Sequence, residues 1–253
     1  MNPGSRPAAP LLPSFAARPQ GGGPAPCDER AVFTAVVYAL TIGCAWRHLP
    51  PTFATSPATA HRRFTVWTEA GLWRRSHRAV LDELGARGEV DWTSAIIDAA
   101  SVRTKRGGSP TGPNPVHHGK KGSKPHVLSE AQNIPVVVTM SGTNIHDSLA
   151  IKPLIHGIPA VRSRRGPRRR RPVKLRADKA YISTKHLAWL RKRGLVARIA
   201  RPGIESGERL GRHRWKIERS IARLFGYRRL TARYERKGWH FLAFLSLAAV
   251  LNC

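Results

Sequence analysis

The sequence predicts an α/β protein in two unequal parts: a small all-α, helix-turn-helix-like unit over residues 28–88 and a larger strand-containing domain over 89–253, behind a leader at 1–27. Three observations predict it. Up to residue 88 apolar residues recur at helical spacing, whereas from residue 94 they alternate or run on as in strands. A chain of 253 residues can bury one large core and one smaller one. The opening stretch "MNPGSRPAAPLLPSFAARPQGGGPAP" is rich in Pro and Gly without a continuous apolar core, so it reads as a disordered leader and not as a signal peptide.

In "DERAVFTAVVYALTIG" Asp28 is the cap, Val32, Val36, Ala39 and Leu40 form one stripe, and Gly43 stops the helix. "CAWRHLPP" turns the chain. The helix in "SPATAHRRFTVWTEAGLW" takes Ser56 as cap, Pro57 at its first position and Gly71 as its end; His61, Arg62 and Arg63 face outward while Phe64, Trp67 and Leu72 pack. Helix, turn, basic helix is the outline of a unit whose second helix enters a major groove, although plain helix packing gives the same outline.

From residue 94, "SAIIDAASVRT" reads as a strand buried on both sides, which makes Asp98 costly unless it is paired or binds metal. "GSPTGPNPVHHGKKGSKPH" reads as a loop, basic at its end. Two strands follow around Ala131-Gln132-Asn133, then a helix in "HDSLAIKPLIHGI" capped by Asp147, then a solvated, disordered loop in the Arg-dominated "RSRRGPRRRR". Into "KLRADKAYIS", Val173, Leu175 and Ala177 alternate with Lys174, Arg176 and Asp178, so one face of the strand is apolar and the strand ends on Asp178, where an Asp commonly forms a turn or caps a helix. "STKHLAWLRKRG" is a further helix and "LVARIARPG" a further strand. In "ERLGRHRWKIERSIARLFGYRRL" the stripe of Ile217, Ile221 and Leu224 leaves Glu218 at its border, with Arg214 one turn earlier as an ion-pair partner within reach. The terminal "FLAFLSLAAVLNC" is a packed helix, too short to span a bilayer.

Lys and Arg number 44 against 15 Asp and Glu, a formal charge of +29, and such a chain binds a polyanion through its phosphates. Nucleic acid is the expected partner, and no membrane is. Cys27, Cys44 and Cys253 are far apart without metal-like spacing and read as reduced thiols of a cytoplasmic protein. Asp98, Asp178 and Glu218, in strand, strand, helix order, suggest a site for phosphoryl transfer in which Mg²⁺ bridges carboxylate and phosphate, with two ions about 4 Å apart. Carboxylates about 5 Å apart repel by roughly 3 kcal/mol per pair at an effective dielectric of about 20, so a cation or a proton is required among them.

The stretches "GCAWRHLPP", "RRFTVWTEAGLW", "IIDAASVRTKRGG", "TGPNPVHHGKKGSKPH", "NIPVVVTMSGTNIHD", "ADKAY", "RHRWKIERSIARLFGYRRLTARYER" and "FLSLAAVLN" occur in the order in which they occur in one known family. With them the chain resembles bacterial insertion-sequence transposases of the DDE class, from about residue 30 to the end. The resemblance implies an RNase H-like mixed sheet flanked by helices, preceded by the helix-turn-helix-like unit. It also implies binding to the terminal inverted repeats of an insertion sequence and to target duplex DNA, and metal-dependent cleavage and strand transfer by a homodimer or higher oligomer associated with the bacterial nucleoid. Asp98, Asp178 and Glu218 match the three catalytic and metal-binding acids, for two Mg²⁺ ions that Mn²⁺ replaces, and Arg214 matches a phosphate contact. DNA contacts are expected from Arg62, Arg63, Lys120, Lys121, Lys124, Arg168, Arg169, Arg170, Arg171, Arg214, Arg228 and Arg229.

The chain departs from the pattern at His117-His118 and Pro125, at Ala180 where a Gly is usual, and at Gly211 and Phe225, where some relatives carry Tyr and Lys; Arg228 and Arg229 are the candidates for the missing cation. The start also lacks a first helix that relatives carry, as a trimmed start would. A catalytically inactive DNA-binding remnant and an RNase H-like nuclease without strand transfer share these motifs and stay open at this point. A basic RNA-associated protein would share only the charge.

Overall fold

The computed structural model describes residues 27–199 and 219–253. The greater part of the leader, Arg214 and Glu218 lie outside the described residues. Helix α1 (Glu29–Ile42) starts where Asp28 accepts the Arg30 N–H, and ends at Gly43, whose φ of 74° is left-handed. Helix α2 (Pro57–Glu69) is capped by Ser56, which accepts the Thr59 N–H at 3.0 Å. It ends at Ala70, and Gly71, expected as its end, instead caps a third helix, α3 (Leu72–Arg87), which the sequence reading did not name. The left-handed φ of 70° at Gly71 lets the chain turn before α3, whose buried face comprises Leu72, Trp73, His77, Leu81 and Gly85.

The strands are β1 (Ser94–Ala99), β2 (Val102–Thr104), β3 (Gly112–Pro113), β4 (Lys121–Glu130), β5 (Pro135–Gly142), β6 (Lys174–Ala177), β7 (Val196–Ile199) and β8 (Ala232–Arg233). All belong to one sheet. Across it the order β5, β4, β1, β6, β7 is antiparallel as far as β1 and parallel beyond, which is the expected RNase H-like mixed sheet. The β4–β5 hairpin turns where the sequence puts it, with Asn133 at φ 72° and the buried Glu130 carboxylate accepting the N–H groups of Asp91, Gln132 and Ile134. Strand β4 begins earlier than expected, at Lys121, because Gly122 lies against the Val102 carbonyl and the Thr143 side chain, where a Cβ would fall within 2.9 Å of both.

Helices cover both faces. Ala95, Ile97, Leu128, Leu175 and Ala177 face α4 (Ile151–Gly157), α5 (Thr184–Lys192) and the end of α3. Val102 and Val127 face α7 (Gly238–Leu251), on which α1 and α2 pack in turn through Leu40, Phe64 and Trp67. Each fully buried Phe or Leu of α7 contributes on the order of 2 kcal/mol, which is why this helix is apolar all round. The core therefore runs continuously across residue 88. Among the described residues no helix is long and apolar enough to cross a membrane, and the three cysteines are unbridged.

Two sequence expectations are corrected here. The Arg run is ordered and not a disordered loop: Val161 and Arg169 exchange backbone hydrogen bonds at 2.8 Å. Asp82 of α3 holds the run by accepting from the Arg162 N–H and from Arg168 Nη1. The cap of the turn at Asp147–Ala150 is His146, whose Nδ1 accepts the Ser148 N–H, and not Asp147. Asp147 pairs with Lys124 at 2.6 Å instead.

Candidate active site

Strands β1 and β6 run parallel with Ile96 opposite Arg176 and Ile97 opposite Ala177. One step further along that register Asp98 and Asp178 fall side by side at the C-terminal ends of neighbouring strands, which lie about 4.8 Å apart in any sheet. Asp98 is half-buried and Asp178 exposed. Backbone N–H groups orient both carboxylates, Ala99 N donating to Asp98 Oδ1 and Lys179 N to Asp178 Oδ1, each at 2.7 Å. In doing so Asp178 caps the 3₁₀ turn Lys179–Tyr181, so the ordinary job of a strand-end Asp and a place beside a second carboxylate coexist in one residue.

Asp98 shares its face of β1 with Ile96, and both line a small cavity with Val127, Ser129, Ser220 and Ile221. The last two lie in the helical stretch 219–225, α6. Glu218 precedes Ser220 by two positions in the sequence. Among the described residues no three His, Cys, Asp or Glu side chains form a metal-ready group. Two hard carboxylates on adjoining strand ends nevertheless match the oxygen donors that divalent cations such as Mg²⁺ or Mn²⁺ take, with a third donor still required.

Beneath the pair lies a network that sequence reasoning missed. Tyr181 is 2% exposed, and its hydroxyl is 3.3 Å from His126 Nδ1, while His126 Nε2 is 2.9 Å from Ser141 Oγ. Burial first, then the carboxylates of Asp147, Asp98 and Asp178, push the Tyr181 pKa up, so its hydroxyl stays protonated. Burial pushes His126 down to about 4, against a smaller opposite pull from Asp147. The only sequence signal was the pairing of Asp178 with a Tyr three residues later, the length of one 3₁₀ turn.

The expected DNA contacts divide by environment. Arg62, Lys120, Lys121, Arg169, Arg170 and Arg228 are exposed. Arg171 is exposed as well and donates to the Arg193 carbonyl. Arg168 is tied to Asp82 and Lys124 to Asp147, and Arg63 pairs with Glu29 at 3.3 Å. Arg229 contradicts its expected surface role: it is 6% exposed, pairs with Glu235 at 2.8 Å, donates to the Cys44 carbonyl and lies over the rings of Trp46 and Phe244. A cation stacked and paired inside the core holds the α1–α2 turn to α7 and is closed to a phosphate. Arg214 and Glu218 are outside the described residues.

The mixed sheet with helices on both faces is an RNase H-like fold, and residues 93–253 match the family "Transposase DDE domain", to which the chain therefore belongs. Residues 7–77 match a second family, "Putative transposase of IS4/5 family". It is 39% identical over 153 residues to the "Putative transposase for insertion sequence element IS402" of Burkholderia cepacia, covering 60% of this chain and 72% of that one. It is 34% identical over 108 residues to the "Insertion element IS402 uncharacterized 16.2 kDa protein" of the same organism, 42% of this chain and 74% of that one. Among solved structures, the Mos1 strand transfer complex aligns over 92% of this chain and 78% of that one at 11% identity, with a TM-score of 0.36. The piggyBac transposase synaptic complex with hairpin DNA aligns over 81% and 49% at 13% identity, with a TM-score of 0.39. Enzymes of the DDE family use divalent metal ions.

Proposed function

We propose that this transposase binds the ends of an insertion sequence and performs metal-dependent DNA cleavage and strand transfer. Asp98, Asp178 and Glu218 are its catalytic carboxylates and metal ligands, and Mg²⁺ is the ion, two per site, replaceable by Mn²⁺. The observation that carries the reading is the parallel register of β1 and β6, which sets Asp98 and Asp178 at adjoining strand ends. When bound, such ions activate an attacking oxygen and stabilise the leaving one.

The remaining work falls to this chain's own residues. Ala99 N and Lys179 N fix one oxygen of each aspartate. Tyr181, held neutral beneath them, adds no charge to an already repulsive site and anchors the turn that Asp178 opens. Arg62, Lys120, Lys121, Arg169, Arg170, Arg171 and Arg228 bind the DNA backbone, with Arg214 contacting phosphate near Glu218. The helical unit at 28–88 carries end recognition, the domain at 89–253 carries the chemistry, and the protein acts as a homodimer or higher oligomer on DNA in the bacterial cytoplasm.

The test uses a labelled terminal repeat with Mg²⁺, Mn²⁺ or EDTA. Asp98→Ala, Asp178→Ala and Glu218→Ala are each expected to abolish cleavage and strand transfer while end binding persists. Cleavage in EDTA, or by any of the three variants, would overturn the assignment. A wild-type chain that binds ends and never cuts would be an inactive remnant, and one that cuts without joining would be a nuclease.

A further inference from the structure

A cleft of about 980 Å³ opens between the α1–α2 turn, α2 and the segment leading from β8 into α7. It is separate from the aspartate pair, and none of the expected DNA contacts on its wall is available, since Arg229 is buried in its own ion pair. Arg47, Arg106, Arg236 and Lys237 stand exposed around it, with no carboxylate partner among the described residues. The one carboxylate on the wall is Glu235, which Arg229 already neutralises. Tyr234 is 47% exposed at the rim, and the floor is aromatic: Trp46 lies 5.5 Å from Phe64 and 5.9 Å from Phe244, ring centre to ring centre.

Two histidines report the field inside. Burial, then the charges of Arg229 and Lys237, push the His61 pKa down against a smaller pull from Glu235. Burial, His61 and Lys237 push His240 down to about 4. Burial is the larger cause at both imidazoles, and the smaller contribution of Lys237 to each marks the positive charge at the cleft that a phosphate would meet. Its volume of about 980 Å³ is of the order of a small-molecule site, room for a base and its neighbours. Aromatic faces beside basic side chains are the requirement for unpaired bases on a tethered backbone.

We propose that this cleft binds a short single-stranded DNA segment, its phosphates on Arg47, Arg106, Arg236 and Lys237 and a base against Tyr234 and the Trp46 edge. The inference rests on the reading that the chain handles DNA, and adds a second, single-strand site to it. Breathing or cutting at a DNA end exposes such strands, and the cleft keeps one from re-pairing.

The experiment measures binding of a fluorescein-labelled oligothymidine and of an uncut terminal duplex to the full chain, by anisotropy across a salt series. Arg106→Ser/Arg236→Ser is expected to weaken oligothymidine binding at least tenfold and to lower the log–log salt slope by about 1.4, at roughly 0.7 per phosphate contact. Tyr234→Ala is expected to weaken it roughly fivefold or more without changing the slope. Duplex binding should stay within twofold of wild type in both. Because these side chains are exposed, unchanged thermal melting confirms the fold. Unchanged oligothymidine binding in both variants, or an equal loss of duplex binding, overturns the proposal. A wild-type chain that never cuts would sink the catalytic reading and leave this one standing.

Discussion

Acidification should unfold this protein partly through one imidazole. His126 is 1% exposed between Tyr181 and Ser141, and its pKa in the fold is about 4 against an ordinary 6.5. Since the unfolded chain binds the proton more readily, stability is full above about pH 6.5 and is lost as the pH falls toward 4. Linkage with these two values gives a loss of about 2.5 kcal/mol between about pH 7 and pH 4.5. For a chain of this size that corresponds to a fall in Tm of very roughly 5–10 °C. His77, His61, His186 and His240 are pushed down as well, so the assay compares wild type with His126→Gln, which keeps a donor and an acceptor but does not titrate. Thermal melts at the two pH values should show a Tm fall smaller by most of that amount in the variant. Equal falls in both proteins would refute the buried, neutral His126.

Arg229→Met strands the buried Glu235 and should cost about 3–5 kcal/mol in urea unfolding, most of it recovered by adding Glu235→Leu; no recovery would mean that the pair is not a closed unit. Gly85→Ala should lower Tm although Ala is the better helix former, because its Cβ would collide with the Arg162 carbonyl and with Val161 where the Arg run docks on α3; a higher Tm would show that the run does not dock there. DNA affinity should fall about a thousandfold or more between 50 and 200 mM salt if six or more phosphates are contacted. Replacing Arg169, Arg170 and Arg171 with Ser should flatten that slope, while Arg168→Ser, which releases Asp82, should chiefly lower stability; an unchanged slope in the triple variant would remove the run from the interface.

Local signals carried much of the fold. Asp28, Gly43 and Ser56 mark their helix ends because a cap's chemistry is contained within four residues of sequence. The β4–β5 turn is legible for the same reason. The two-residue β8 was not, since it exists only by pairing with β2 across more than a hundred residues. Asp98 and Asp178 could be named from their strands, yet their adjacency is a property of the β1–β6 register, which no single stretch contains. Charge misled where burial decides: Arg229 reads like its exposed neighbour Arg228, and only the aromatic shelf of Trp46 and Phe244 separates them. Arg233, fully buried, likewise donates to the carbonyls of Ser109, Pro110, Glu235 and Arg236 and fixes the loop before β3.

Of the two ions proposed for the site, one is shared by Asp98 and Asp178. Mn²⁺ titrated into the full chain with a bound terminal duplex, followed by the loss of the free-ion paramagnetic resonance signal, measures it directly. Asp98→Asn and Asp178→Asn should each weaken Mn²⁺ binding at least tenfold, and the double variant should be little worse than either, because the two ligands serve one site. Binding that survives either single change, or losses that simply add, would contradict a shared site.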